Sequence, residues 1–302
     1  MTSSIVIDAN AAATPATDPG KTTSQRRAGY REPVRGVSFA GILRSERIKL
    51  SSLRSIKLTL LITVVLGIGL STGVALLFSN ELRSGETDIL GSGAVALQAY
   101  LLMIATFAGP FLALIFGVLG VLAISSEYSS GMILSTLTAV PKRTPVFIGK
   151  AIVLAVVSAL TALVLVVGGL AAAIICYPES AAQLGSSVVV SGVLGTVVYL
   201  VLISLFAFGV AALLRSTAGG IAVLAGVTFV LPIAFQMLTM TGWSWVSTVS
   251  EYLPSQLGFV LSQGVVDVSS GPSFAVALAA MIGWVAVVVV PATIAFKRRD
   301  AR

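Results

Sequence analysis

The chemistry open to this chain is set by its carboxylates, amines and guanidiniums. Among 302 residues there are 12 Asp and Glu, 19 Lys and Arg, no histidine, and one cysteine, Cys176. Without histidine there is no Ser-His-Asp triad, no zinc site built on imidazole and no His-ligated haem. A lone cysteine forms no intrachain disulfide and reads as a small packed hydrophobe. Catalysis by carboxylates needs acids that converge on one pocket, whereas these are scattered through loops and tails. The sequence predicts no enzyme.

Nucleotide binding by a P-loop fails on spacing. Gly20-Lys21-Thr22 resembles the end of such a loop, but Pro15 stands where the first glycine belongs. Gly149-Lys150-Ala151 lacks the Ser or Thr as well as the first glycine. The remaining notable charges, Glu127, Lys150 and Arg215, lie at the ends of long apolar runs. Glu127 has two readings: a boundary carboxylate that caps a helix or pairs with Lys142 or Arg143, or a contact for a cytosolic partner. Arg215 in the tight turn to Gly220 reads as a topology anchor, and Lys297-Arg298-Arg299 as a stop-transfer anchor near anionic lipid.

The elements that position these charges follow from composition. Hydrophobic residues are 56% of the chain and charged ones 10%, against about 25% charged in a soluble domain. Lipid must be the solvent for most of it. The uncharged runs predict an all-α polytopic fold with six spans, at about 58–78, 97–124, 146–176, 187–214, 218–238 and 274–296. Gly109-Pro110 should kink the second, and Pro232 lies inside the fifth. With the N-terminus inside, every Lys and Arg except Arg83 falls on the cytoplasmic side, which places both termini there. This bias also accounts for the net charge of +7, and nucleic acid is not an expected partner.

Outside the spans, residues 1–36 read as a disordered cytoplasmic tail. Residues 37–57 form an amphipathic interface helix in which Phe39, Ile42, Leu43, Leu50 and Leu53 recur at helical spacing among Arg44, Arg47, Lys49 and Arg54. Glu46 falls on its apolar side and needs a partner, which Lys49 one turn on would supply. Residues 127–143 carry a helix of their own, ended by Pro141. Residues 241–272 are an outer segment with Trp243 and Trp245 at the interface and a short helix around Leu257–Leu261.

Several of these stretches resemble the membrane permease subunits of type-2 ABC exporters. Arg44-Ser45-Glu46-Arg47-Ile48-Lys49-Leu50 with Ser52-Leu53-Arg54-Ser55 is similar to that family's segment before span one. Ser126-Glu127-Tyr128-Ser129-Ser130-Gly131, then Leu137-Thr138-Ala139-Val140-Pro141-Lys142-Arg143 and Lys150, resembles its cytoplasmic turn between spans two and three. Leu213–Ala218 and Tyr252-Leu253-Pro254-Ser255 resemble later landmarks. The resemblance covers residues 37–302.

It implies an exporter in the plasma membrane driven by a separate cytosolic ABC ATPase subunit that holds the ATP and Mg; this chain itself would bind no cofactor and no metal, and the lack of charge within the spans favours an apolar or amphipathic substrate. It implies a second permease copy, identical or related, surrounded by membrane lipid. In it, 127–143 is the coupling helix, with Glu127, Gly131, Pro141, Lys142 and Arg143 at the ATPase interface, and Glu46, Arg47 and Lys49 belong to the interface helix. Close packing of the spans would use small residues such as Gly117 and Gly120. The alternative is a non-transporting membrane scaffold or sensor, which has no need of a docking helix at 127–143.

Overall fold

The chain is described by a computed structural model over residues 38–52, 54–84, 93–129, 143–266 and 271–298. The tail at 1–36, Val37, Leu53 and most of the 127–143 turn, including Gly131, Pro141 and Lys142, lie outside the described residues. Within them all regular structure is helical, without a strand, and six helical stretches are long and apolar enough to cross a membrane. The protein is an all-α polytopic membrane protein.

Helix α1 (Phe39–Ser52) precedes α2 (Arg54–Ser84), the first span. The second span is two helices, α3 (Gly93–Thr106) and α4 (Gly109–Ser129). The chain turns at Phe107 and Ala108, and Gly109-Pro110 restarts the helix. Proline suits the first turn of α4 because its missing N–H would have no partner there. The span begins at Gly93, earlier than the expected start near Leu97; Gly93 has φ +64°, which costs glycine nothing.

Then come α5 (Arg143–Cys176), a 3-10 turn (Pro178–Gln183) and α6 (Ser187–Leu214). Ser186 caps α6 by accepting from the Val189 N–H. Span five is α7 (Thr217–Ala225), a π-helical segment (Gly226–Val230) and α8 (Leu231–Thr239). Pro232 explains the π segment. Its ring would clash with the carbonyl of Thr228 in a regular α-helix, and the wider turn relieves this, with the Leu231 N–H reaching Gly226 O. Short helices α9 (Ser244–Ser250) and α10 (Pro254–Gln263) precede the last span, α11 (Phe274–Arg298). The outer segment thus holds two short helices where the sequence suggested one.

Helix α6 is the centre. Of its most apolar stretch 61% is buried, against 11% in span five and 17% in span six. It packs against α4, α5, α10 and α11. Small residues set the distances: a Cβ on Gly120 of α4 would lie 2.0 Å from Ser204 O of α6, and one on Gly195 of α6 would lie 2.1 Å from Leu261 O of α10. Gly117 makes room instead for the side chain of Leu224 of α7. Helix α10 therefore lies with its backbone against α6, and the Val265 N–H donates to Ser191 Oγ at 2.8 Å.

Candidate functional site: a buried charge network beside an uncharged cavity

Burial selects one face of α1. Ile42, Glu46 and Leu50, spaced four apart, are its buried residues, and Phe39 is exposed although the apolar spacing placed it on that face. A carboxylate between two apolar side chains is costly unless paired. Ile42 sits against α5 at Gly149, where a Cβ would come within 2.9 Å of Ile42 Cγ2. This close approach brings the next residue, Lys150, to Glu46.

The result is a four-membered network. Lys150 Nζ donates to Glu46 Oε2 at 2.5 Å and to Glu127 Oε1 at 2.8 Å. Lys49 Nζ donates to Glu46 Oε1 at 2.9 Å and to Glu127 Oε1 at 3.0 Å. Glu46, Lys150 and Glu127 are 1%, 4% and 5% exposed, and two ammoniums balance two carboxylates. Burial pulls the Lys49 ammonium down, but the hydrogen bonds and charges of Glu46 and Glu127 outweigh it, and its pKa is raised above the ordinary lysine value. A buried pair in this geometry holds its elements in one arrangement, because losing either partner strands a charge.

The predicted site residues separate on this structure. Glu46, Lys49 and Glu127 come together, joined by Lys150, which the sequence reading placed only as a charge near the end of span three. Glu127 pairs with Lys49 and Lys150 rather than with Arg143, and its carboxylate is enclosed. Arg47 is exposed on α1. Arg143 begins α5, and Gly131, Pro141 and Lys142 lie outside the described residues. The missed member had a signal: an ionisable residue within an apolar span calls for a partner.

Arg215 adds a second tie at this end. It closes α6 in the left-handed region at φ 53°, ψ 28°, with its guanidinium 5.5 Å from the centre of the Tyr128 ring, within reach of a cation–π contact.

A cavity of about 570 Å³ lies farther along the spans, bounded by the α3–α4 break, α6, the π segment and α10. None of its lining residues is charged; Thr106, Thr196, Tyr199, Thr228, Ser255 and Ser262 supply hydroxyls and Gln263 an amide. Among the described residues no cluster of His, Cys, Asp and Glu could hold a metal.

Fold and site define a multi-pass α-helical membrane protein whose spans are held at one end by a buried, balanced charge network. The chain belongs to the family described as "Protein of unknown function (DUF2705)", whose model matches residues 89–302. No curated protein matches the sequence.

Proposed function

We propose that the chain is the permease subunit of an ABC exporter in the cell membrane, moving an apolar or amphipathic molecule outward on energy from a separate cytosolic ATPase. One observation supports this reading above the others: the network ties together both helices that flank 130–142. Helix α4 ends before that segment and α5 begins after it. Glu127 of α4 and Lys150 of α5 bind each other and share Glu46 and Lys49 of α1. A push on 130–142 then moves α1, α4 and α5 as one body instead of bending a single helix end. Glu127 acts in this reading by transmission, and Lys142 and Arg143 are the basic residues that would meet the ATPase. The low burial of spans five and six leaves room for lipid and for a second permease copy.

The test is recovery of the tagged chain from its native membranes in mild detergent, with cross-linking before solubilisation. An ABC ATPase should come with it in stoichiometric amount and be lost from Lys142→Glu/Arg143→Glu, which leaves the buried network intact. Recovery of the intact chain with no ATPase would overturn the reading in favour of a scaffold or sensor.

A further inference from the structure

The cavity has the features of a built site. Two of the six spans abandon regular α-helix, and both do so at its wall: the turn at Phe107 and Ala108, and the π segment that carries Thr228 and Phe229. Irregular backbone at membrane depth is tolerated where it is buried in protein or lines a cavity, and π-bulges are frequent at functional sites. Tyr199 lies about twelve residues into α6, so roughly 18 Å along a helix rising 1.5 Å per residue and near the middle of a ~30 Å hydrocarbon core.

Its hydrogen-bonding capacity is specific. The hydroxyls of Thr106, Thr196 and Thr228 each donate at 2.8 Å to the carbonyl four residues earlier, Leu102, Gly192 and Leu224. Each has one hydrogen and has used it, so these three oxygens face the cavity as acceptors only. Tyr199 is the complement. Its ring lies across Gly258 of α10, where a Cβ would meet ring carbons at 2.4 to 2.7 Å, and no described residue takes a hydrogen bond from its phenol. The hydroxyl of Ser255, another lining residue, is buried without a partner. The walls are otherwise apolar except for Ser262, whose hydroxyl donates to Phe259 O at 2.7 Å, and the exposed Gln263, and the volume falls within the ~300–1,000 Å³ typical of small-molecule sites. Exposed Phe107, Phe111 and Phe259 give the cavity an apolar rim.

We propose that this cavity, within a single chain, binds an uncharged and mainly apolar molecule through one hydroxyl group, entering sideways from the bilayer. The ligand oxygen accepts from the Tyr199 phenol, and its hydrogen is donated to a threonine Oγ1. Ions are rejected because no lining group can balance them. A hydroxyl-bearing lipid and a smaller lipophilic alcohol share this chemistry. Binding does not require an ATPase, so the inference stands or falls separately from the transport reading.

The experiment uses the purified full chain in phosphatidylcholine nanodiscs and three diazirine probes of one chain length: a primary alcohol, the corresponding alkane and the corresponding carboxylic acid. The alcohol should label 99–113, 196–199 and 255–263 saturably, and bind more tightly than the alkane by about fivefold, the factor for one net hydrogen bond. Tyr199→Phe keeps the ring over Gly258 and should remove most of that preference; Thr228→Val, on the other wall, should reduce it. Mass analysis of what the alcohol displaces from chain purified out of native membranes separates the two sources, a hydroxyl-bearing lipid or a smaller alcohol. Equal binding of alcohol and alkane, tighter binding of the acid, a preference untouched in both variants, or labelling confined to outward residues such as Leu61 and Val287 would each overturn the proposal.

Discussion

Lys150 donates to Glu46 across 104 positions of sequence, and this contact fixes the interface helix to the third span. Removing the ammonium alone leaves Glu46 and Glu127 enclosed with only Lys49 to balance them. Lys150→Met should therefore destabilise the protein by about 3–5 kcal/mol. Adding Glu127→Gln leaves the Glu46–Lys49 pair balanced, so the double variant should recover most of that loss. Thermal unfolding in detergent, followed by size-exclusion of the surviving fraction, measures both. Equal instability of single and double variants would show that packing, not charge balance, holds α1 in place.

The α4–α6 crossing gives a second prediction. Gly120→Ala would drive a methyl to within 2.0 Å of the Ser204 carbonyl oxygen, which backbone can relieve only by separating the helices. A loss of about 2 kcal/mol or more is expected, at or above the middle of the overpacking range. Gly69, on the exposed side of α2, has nothing within 4 Å of the same added atom; there the better helix former should be neutral or gain up to about 1 kcal/mol. The pair, compared by unfolding in the same detergent, separates steric loss from the general effect of replacing glycine.

Local pattern carried the spans, because an uncharged run of some twenty residues has one cheap solution in lipid. It also carried Glu46: once residues 37–57 are wound as a helix, this carboxylate falls among leucines and isoleucines, with Lys49 one turn away. What periodicity cannot reveal is which distant charge completes the set. Glu127 and Lys150 are 23 residues apart and meet only because α4 and α5 return side by side. Span five illustrates the same limit. Pro232 announced a disturbance, but not that Thr228 on the π segment would share a cavity wall with residues of α3, α6 and α10. The docking of α10 on Gly192 and Gly195 was likewise hidden, since small residues mark a close approach without naming the partner.

Through Lys49, the docking of α1 should depend on pH at the alkaline end. Its pKa is raised in the folded protein from the ordinary 10.5. Burial opposes the charge, but the bonds to Glu46 and Glu127 prevail. The folded state then holds this proton more tightly than the unfolded chain does, so the contribution is complete below about pH 10.5 and is lost as pH rises beyond it. Limited proteolysis at Arg44 and Arg47, exposed on α1, should be constant through neutral pH and accelerate at the alkaline end. Lys49→Gln should cleave faster at neutral pH and show a weaker alkaline rise; a wild-type chain that opens on acidification alone would contradict the assignment.

Arg215 offers a test that divides backbone from side chain. It holds a left-handed conformation that closes α6 with its N–H on Ala211 O at 2.8 Å, while its guanidinium lies over Tyr128. Arg215→Ala and Arg215→Gly lose the same contact, but only alanine keeps a Cβ in the left-handed region, which costs an L-residue about 1 kcal/mol or more. The glycine variant should accordingly be the more stable of the two by about 1 kcal/mol. Arg215→Lys, which keeps the charge and gives up the planar group that suits an aromatic face, should fall between wild type and alanine. If alanine and glycine unfold together, the turn relaxes once the guanidinium leaves, and the contact with Tyr128 is what holds Arg215 at positive φ.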